Sequence, residues 1–399
     1  MTKLKLQDLD VRGKKVLVRV DFNVPLNKDG SISDDTRIQE SLPTIQAILK
    51  EGGSVILMSH LGRPKGGPDP QFSLGPVARH LSKLLGIPVL MADDCVGEKV
   101  EKMADELKPG QVLLLENVRF HPAEEKPDLD LSFAKKLASL GDFYVNDAFG
   151  TAHRAHSTTA AIAGHFPGKS AAGLLMQKEI EFLSFLLAPK PPFYAIIGGA
   201  KISTKMGVLG SLLSKADAIF IGGGMAYTFY LAQGLKIGDS ICQQDQVAPA
   251  TEFLKKCREQ KISCYLPKDL IIADAFRDDA RTKCIAPSDG IPDGWQGMDI
   301  GPQTTHEWSK ALKSAASVFW NGPLGVFEFP HFAKGTEEIA KTVASLKAIT
   351  IVGGGDSVAA INKLGLKASF THVSTGGGAS LEFIEFGHLP GIDALSDKS

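Results

Sequence analysis

Four arginines and a histidine recur at comparable points in the first half of this chain: Arg37, Arg63, Arg119, Arg154 and His60. They stand in or beside polar turns that each follow a short apolar run. The turns are Asp21-Phe22-Asn23, Ser59-His60-Leu61-Gly62-Arg63-Pro64 and Glu116-Asn117-Val118-Arg119-Phe120. Asp147 follows a fourth run, and His153-Arg154-Ala155-His156 comes shortly after it. Guanidinium forks match carboxylates and phosphates in bidentate geometry, so a rim of them suits a small substrate carrying several negative charges. One arginine alone would read as a surface ion pair; four at successive strand ends read as a site.

The second half places glycine where the first places arginine. Its turns are Gly198-Gly199-Ala200-Lys201, Gly222-Gly223-Gly224, Gly353-Gly354-Gly355-Asp356-Ser357 and Gly376-Gly377-Gly378. Glycine lets backbone approach a phosphate closely, and a helix starting behind it offers free N–H groups. Lys201 supplies a point charge, and Lys205, four residues on, falls on the same helical face. Asp356 is the candidate ligand for Mg²⁺, directly or through water, because that ion takes hard oxygen donors. Any one of these turns needs no more than a tight strand-to-helix connection to explain it. Together with Lys201 and Asp356 they read as a nucleotide-phosphate site.

Both sets of turns need strands to carry them. Apolar runs too short for helices lie at 16–20, 55–58, 112–115, 143–145, 194–197, 218–221, 318–320, 349–352 and 371–373. They read as buried parallel strands. Helical spacing joins Ile38, Leu42, Ile45, Ile48 and Leu49, with Asp34 or Asp35 as cap and a kink expected at Pro43. It also joins Leu74, Val77, Leu81, Leu84 and Leu85. Alternation of this kind predicts an α/β protein with two doubly wound, Rossmann-like parallel-sheet domains joined by a hinge helix. The seam is expected at Ala188-Pro189-Lys190-Pro191-Pro192, behind a helix over about 171–187, giving domains 1–187 and 188–388. Ligands in such sheets bind beyond the carboxyl ends of the strands, where these turns lie.

Composition narrows the field. The 399 residues are 43% hydrophobic and 22% charged with a net charge of -1, so disorder and a global nucleic-acid-binding field are both disfavoured. Five cysteines without a CxxC pair support neither a disulfide framework nor a zinc knuckle. No signal-like or membrane-spanning apolar run is seen, so a cytoplasmic enzyme with no membrane partner is expected. Ala163–Ser170 loosely matches a phosphate loop but follows a poor strand and carries Phe166 and Pro167 inside, and it is set aside. The rival to an enzyme is a two-lobed anion-binding protein without catalysis, which would need neither Lys201 nor Asp356.

These motifs resemble those of phosphoglycerate kinases along the whole chain. The resemblance is carried by Arg19–Pro25, Ser59–Pro64, Glu116–Phe120, Asn146–Arg154, Gly198–Lys201, Trp320–Pro323 with Gly325–Glu328, Gly353–Ser357 and Ser374–Ser380. The chain departs from the family's pattern at Thr204, Ser357 and Glu385–His388. The resemblance implies reversible phosphoryl transfer from 1,3-bisphosphoglycerate to ADP, giving 3-phosphoglycerate and ATP, in glycolysis. It implies substrate binding by Asp21, Phe22, Asn23, Arg37, His60, Leu61, Gly62, Arg63, Arg119 and Arg154. It implies a nucleotide site of Lys201, Lys205, Asn321, Glu328, Gly354, Gly355, Asp356 and Ser357, with Glu328 reaching the ribose. It further implies a monomer whose tail, 389–399, returns to the first lobe.

For the chemistry, Arg37 and Lys201 are expected on the equatorial oxygens of the transferring group. Lys205 shares that load, and backbone N–H donors come from Gly376, Gly377 and Gly378. No general base is required, because the acceptor is already a carboxylate. Closure of the lobes would exclude water.

Overall fold

The structure is a computed structural model that describes residues 2–398. The chain folds into two compact units, one of residues up to 181 with those from 388 onward, the other of 182–387.

In the first unit, β1 (Lys15–Arg19), β2 (Ser54–Met58), β3 (Val89–Met91), β4 (Val112–Leu114), β5 (Phe143–Asn146) and β6 (Ser170–Ala172) form one sheet in the order β3-β4-β2-β1-β5-β6. Every pairing is parallel. β1, β2 and β4 are almost wholly buried, which is why they are apolar throughout rather than alternating. The helices Thr36–Lys50 and Gly75–Leu85 lay Ile38, Ile45, Ile48, Val77 and Leu81 on this core. The first helix runs through Pro43 to Lys50. Asp34 takes the Thr36 N–H at 2.9 Å at its start, whereas Asp35, at the cap position, makes no capping bond and instead accepts from Gln39 and faces His80 Nε2 at 2.8 Å.

The second unit repeats the plan with β7 (Phe193–Ile197), β8 (Ala218–Ile221), β9 (Ser263–Tyr265), β13 (Ser317–Asn321), β14 (Ile349–Gly353) and β15 (His372–Val373), in the order β15-β14-β13-β7-β8-β9, all parallel. Between β9 and β13 in sequence come β10 (Leu270–Ala273), β11 (Thr282–Ile285) and β12 (Gln296–Ile300), a separate antiparallel sheet that the sequence reading did not anticipate. Ile196, Phe220, Trp308, Val318, Trp320 and Ile339 centre the core.

The helix expected over 171–187 is shorter. Residues 170–172 pair with β5 as edge strand β6, and the helix spans Leu174–Phe185. The division between the units falls within that helix rather than at the prolines. Its start is fixed by Asp147, whose Oδ1 accepts the N–H groups of Leu175 at 2.9 Å and Met176 at 3.2 Å. The chain's end belongs to the first unit: Leu4 N donates to Ser396 O at 2.8 Å, Asn146 Nδ2 to Gly391 O at 3.1 Å, and Lys3 pairs with Asp397 at 2.9 Å.

Candidate active site

In the first unit the predicted turns stand together at the carboxyl ends of adjacent strands β4, β2 and β1. Asn23 Oδ1 accepts the Gly62 N–H at 2.8 Å, and Phe22 N donates to Ser59 Oγ at 2.9 Å, so the β1 and β2 turns are tied to each other. Asn117 Nδ2 donates to Leu61 O at 2.7 Å, and Arg119 donates to Gly62 O at 2.9 Å, which adds the β4 turn. Arg37 donates to Asp21 Oδ2 at 2.7 Å, an ion pair in which the carboxylate is largely buried and the guanidinium is 39% exposed. The carboxylate fixes one nitrogen of the fork and leaves the remainder for an anion. Arg63 is exposed and close enough to Arg119 to repel it. Arg154 is exposed.

Beneath this rim lies a buried polar chain. Arg19 is 1% exposed; its Nε donates to Thr158 Oγ1 at 2.8 Å, and that hydroxyl donates to Glu124 Oε1 at 2.6 Å. Arg19 also reaches His60 Nδ1 at 3.3 Å. A guanidinium only donates, so Nδ1 accepts and the His60 proton sits on Nε2. Burial, with Arg19, Arg119 and Arg37 nearby and Asp21 opposing, drops the His60 pKa to about 3. His60 is therefore neutral, buried just under the cationic rim with its N–H on Nε2.

In the second unit the glycine turns meet at the point where the strand order reverses, between β7 and β13. Gly198 N donates to Asn321 O at 2.8 Å and Gly199 N to Pro323 O at 2.9 Å. A Cβ on Gly322 would lie 2.2 Å from Gly198 O, and one on Gly198 would lie 2.2 Å from Pro323 O, so only glycine lets the two turns approach this closely. Around them lies a cavity of about 410 Å³, lined among others by Lys201, Lys205, Asn321, Gly354, Gly355, Asp356, Ser357, Gly377 and Gly378. Two helices, Gly355–Lys363 and Gly378–Phe386, point their N-termini at it. Lys205 donates to Asn321 Oδ1. The Asn321 Nδ2 is buried without a hydrogen-bond partner and lies against Gly354. Burial lowers the Lys205 pKa to about 8, with Asp356 pulling it up. An incoming anion would relieve both the buried cation and the orphaned amide.

A second cavity, about 420 Å³, shares Gly199, Ala200 and Asp356 with the first and extends past Gly223, Gly224, Tyr227, Ile241, Phe276, Met298, Val326 and Glu328. The glycine turns thus open directly into a largely apolar slot with Asp239 and Glu328 at its wall. A third cavity of the unit, about 970 Å³ beside His306 and His331, contains no glycine turn from a parallel strand end and lacks this chemistry.

Comparison with known proteins decides the family. A family model described as phosphoglycerate kinase matches residues 6–386. The phosphoglycerate kinase of Moorella thermoacetica is 54% identical over 399 residues, the full length of both chains. A cytosolic phosphoglycerate kinase of Triticum aestivum is 53% identical, covering 98% of each chain. The chain belongs to the phosphoglycerate kinase family. Among solved structures, the Coxiella burnetii phosphoglycerate kinase superposes with a TM-score of 0.87 at 40% identity, covering 98% of each chain. That of Pyrococcus horikoshii gives 0.85 at 34%, again with 98% of each.

In this phosphoglycerate kinase family member several sequence-predicted residues do supporting work instead. Phe22 and Leu61 are 0% and 3% exposed, and both side chains sit in the hydrophobic core, so they hold the β1 and β2 turns from behind. The Gly376 N–H is taken by Ser374 Oγ at 3.2 Å, which leaves Gly377 and Gly378 at the cavity. Ser357 faces the cavity but is buried, and its Oγ accepts the Gly322 N–H at 2.6 Å, fixing the neighbouring turn. Glu328 stands in the apolar slot and not in the cavity lined by Lys201 and Lys205. Tyr227, Ile241, Phe276 and Met298 went unrecognised because they come from distant elements; only the exposure of a large aromatic, Phe276, marks any of them. The segment 163–170 begins inside the 3-10 turn Ala161–His165 and ends at the first residue of strand β6, the reverse of the strand-loop-helix order of a phosphate loop.

Proposed function

We propose that this chain catalyses the reversible transfer of a phosphoryl group from 1,3-bisphosphoglycerate to ADP, forming 3-phosphoglycerate and ATP. The observation that carries the reading is the cavity at the β7/β13 reversal, where close-packed glycine turns, two helix N-termini, Lys201 and Lys205 surround a space that continues into an apolar slot. This is the construction that a nucleoside di- or triphosphate requires. The first unit supplies the complementary half, with Arg37, Arg63, Arg119, Arg154 and neutral His60 as donors to a phosphorylated carboxylic acid. Asp21 and Asn23 act through the groups they hold, Arg37 and the Gly62 turn.

In-line phosphoryl transfer asks the protein for position and charge neutralisation. Arg37 takes equatorial oxygens of the moving group with the part of its fork that Asp21 leaves open. Lys201, exposed at the mouth of the phosphate cavity, and Lys205, deeper within it, balance the phosphate charge from the nucleotide side. The N–H groups at Gly377 and Gly378 add donors that need no reorganisation. Asp356 is exposed and borders both cavities, so its carboxylate suits Mg²⁺ held directly or through water. Mg²⁺ bound there supplies further neutralisation of the nucleotide phosphates. Glu328 in the slot is assigned to the ribose hydroxyls. Direct transfer requires the two substrates to meet, so hinge bending belongs to the reading, together with a monomeric, cytoplasmic enzyme.

A coupled assay tests this. With 1,3-bisphosphoglycerate and ADP, ATP should form when Mg²⁺ is present and stop when it is chelated. Saturable binding of both compounds with no ATP formed would leave only an anion-binding protein.

A further inference from the structure

Apart from the kinase machinery, one cluster combines the donors that a transition metal selects. Among the described residues, Asp94, Cys95 and His121 are a set whose ligand atoms all lie within 4.8 Å of one another. Asp94 and Cys95 follow edge strand β3, and His121 closes the turn Val118–Phe120 after β4. Asp94 Oδ1 faces His121 Nε2 at 2.7 Å and takes the Cys95 N–H at 2.6 Å. The His121 ring stacks on Phe133 with centroids 5.1 Å apart, which fixes its plane.

The geometry points to a zinc-type divalent-cation site formed by Asp94, Cys95 and His121. A tetrahedral ion with bonds of about 2.0–2.3 Å to O, N and S sets its ligands roughly 3.3–3.7 Å apart. The carboxylate and imidazole need to separate slightly and the farther donors to draw in by about an ångström, within reach of side-chain rotation. One thiolate, one imidazole and one carboxylate select a borderline-soft ion, whereas Mg²⁺ and Ca²⁺ prefer all-oxygen shells. Cys95 is wholly buried while the Asp94 and His121 side chains are 48% and 31% exposed, so the ion enters from the carboxylate–imidazole side and keeps a water there as fourth ligand. Binding exchanges the Cys95 S–H bond for S–Zn and releases one proton to solvent. Because the thiol must give up that proton to bind, affinity climbs with pH. The ion would tie the turn carrying Arg119 to the edge of the sheet, a tether that the phosphoryl-transfer chemistry itself does not use.

The test is titration of chelator-treated full-length protein with Zn²⁺ by calorimetry and with Co²⁺ by absorption. One equivalent should bind per chain, with a thiolate-to-cobalt charge-transfer band and release of one proton. Cys95→Ser should abolish the band, and His121→Asn, at a partly exposed position that leaves the fold intact, should weaken binding by at least about 10–100-fold. Cys284→Ser, an exposed cysteine elsewhere, should change neither. Absence of stoichiometric binding, or a band that survives in both Cys95→Ser and His121→Asn, overturns the assignment.

Discussion

Arg37 and Asp21 form an ion pair of 2.7 Å in which the acid is the buried partner and the arginine the more exposed one. A pair built for stability alone would not leave the guanidinium 39% exposed over a carboxylate that is almost covered. The asymmetry makes Asp21 a positioning residue and Arg37 the group that meets substrate.

Replacing Arg37 with alanine should therefore lower kcat by on the order of 10³ or more, the range for losing a cation that acts in the phosphoryl-transfer transition state. Nucleotide affinity should change little. Steady-state kinetics with both substrates varied checks this, and a kcat within a few-fold of the parent would mean that Arg37 is wrongly placed.

Lys205 gives nucleotide binding a pH dependence. Its pKa of about 8 in the free protein means that the cation is lost as pH rises through that value. Phosphate binding restores it by taking up a proton. Affinity for Mg-ADP should fall by up to about tenfold per pH unit above pH 8, with proton uptake visible in buffers of different ionisation enthalpy. Lys205→Met should bind more weakly at pH 7 and show a flat profile from pH 7 to 9.

Asp147 carries a stability signature. Burial raises its pKa from 3.8 to about 6, against the opposing hydrogen bonds of Thr44, Met176 and Leu175. Between those values the native state binds more protons than the unfolded chain, so this site adds stability as pH falls from 6 to 4 and costs a constant amount above 6. Asp147→Asn keeps an oxygen for Leu175 and Met176 and removes the buried charge. It should stabilise the protein at pH 7 by on the order of 1–3 kcal/mol, with the advantage vanishing near pH 4. Urea denaturation across that range measures the difference; a variant less stable at pH 7 would show that the ionised carboxylate is needed for the cap.

Gly322→Ala places a methyl 2.2 Å from Gly198 O at a φ of +99°. Overpacking at such a site costs about 2–3 kcal/mol, and the two turns must part. Mg-ADP affinity should drop while 3-phosphoglycerate affinity holds. Thermal melts with binding measured on the same sample separate the two effects.

The sequence made the two parallel sheets legible because their central strands are buried on both faces and therefore carry unbroken apolar runs, as in Val16–Val18 and Val55–Met58 of the first and Val318–Trp320 of the second. It hid the edge strands β3, β6 and β9, which are three residues long and either half-exposed or, as Ser170-Ala171-Ala172, without strand character in composition. The antiparallel sheet escaped for a related reason: Thr282–Ile285 is mostly exposed, so its residues are polar. Charged and glycine-rich turns announced the site because their chemistry is local. Asp147 follows a strand as the site residues do, but its carboxylate is spent on the Leu175 and Met176 N–H groups at the start of the next helix. The apolar slot was illegible, being assembled from Tyr227, Ile241, Phe276 and Met298, which only the tertiary fold brings together.

The central claim is that the acid substrate and the nucleotide bind to different units through different chemistry. Calorimetric titration of 3-phosphoglycerate and of Mg-ADP into Arg63→Ala and Lys205→Met tests it most directly. Arg63→Ala should lose affinity for 3-phosphoglycerate alone, and Lys205→Met for Mg-ADP alone. If Arg63→Ala weakened Mg-ADP as much as 3-phosphoglycerate, or Lys205→Met weakened both alike, the division of labour would be contradicted.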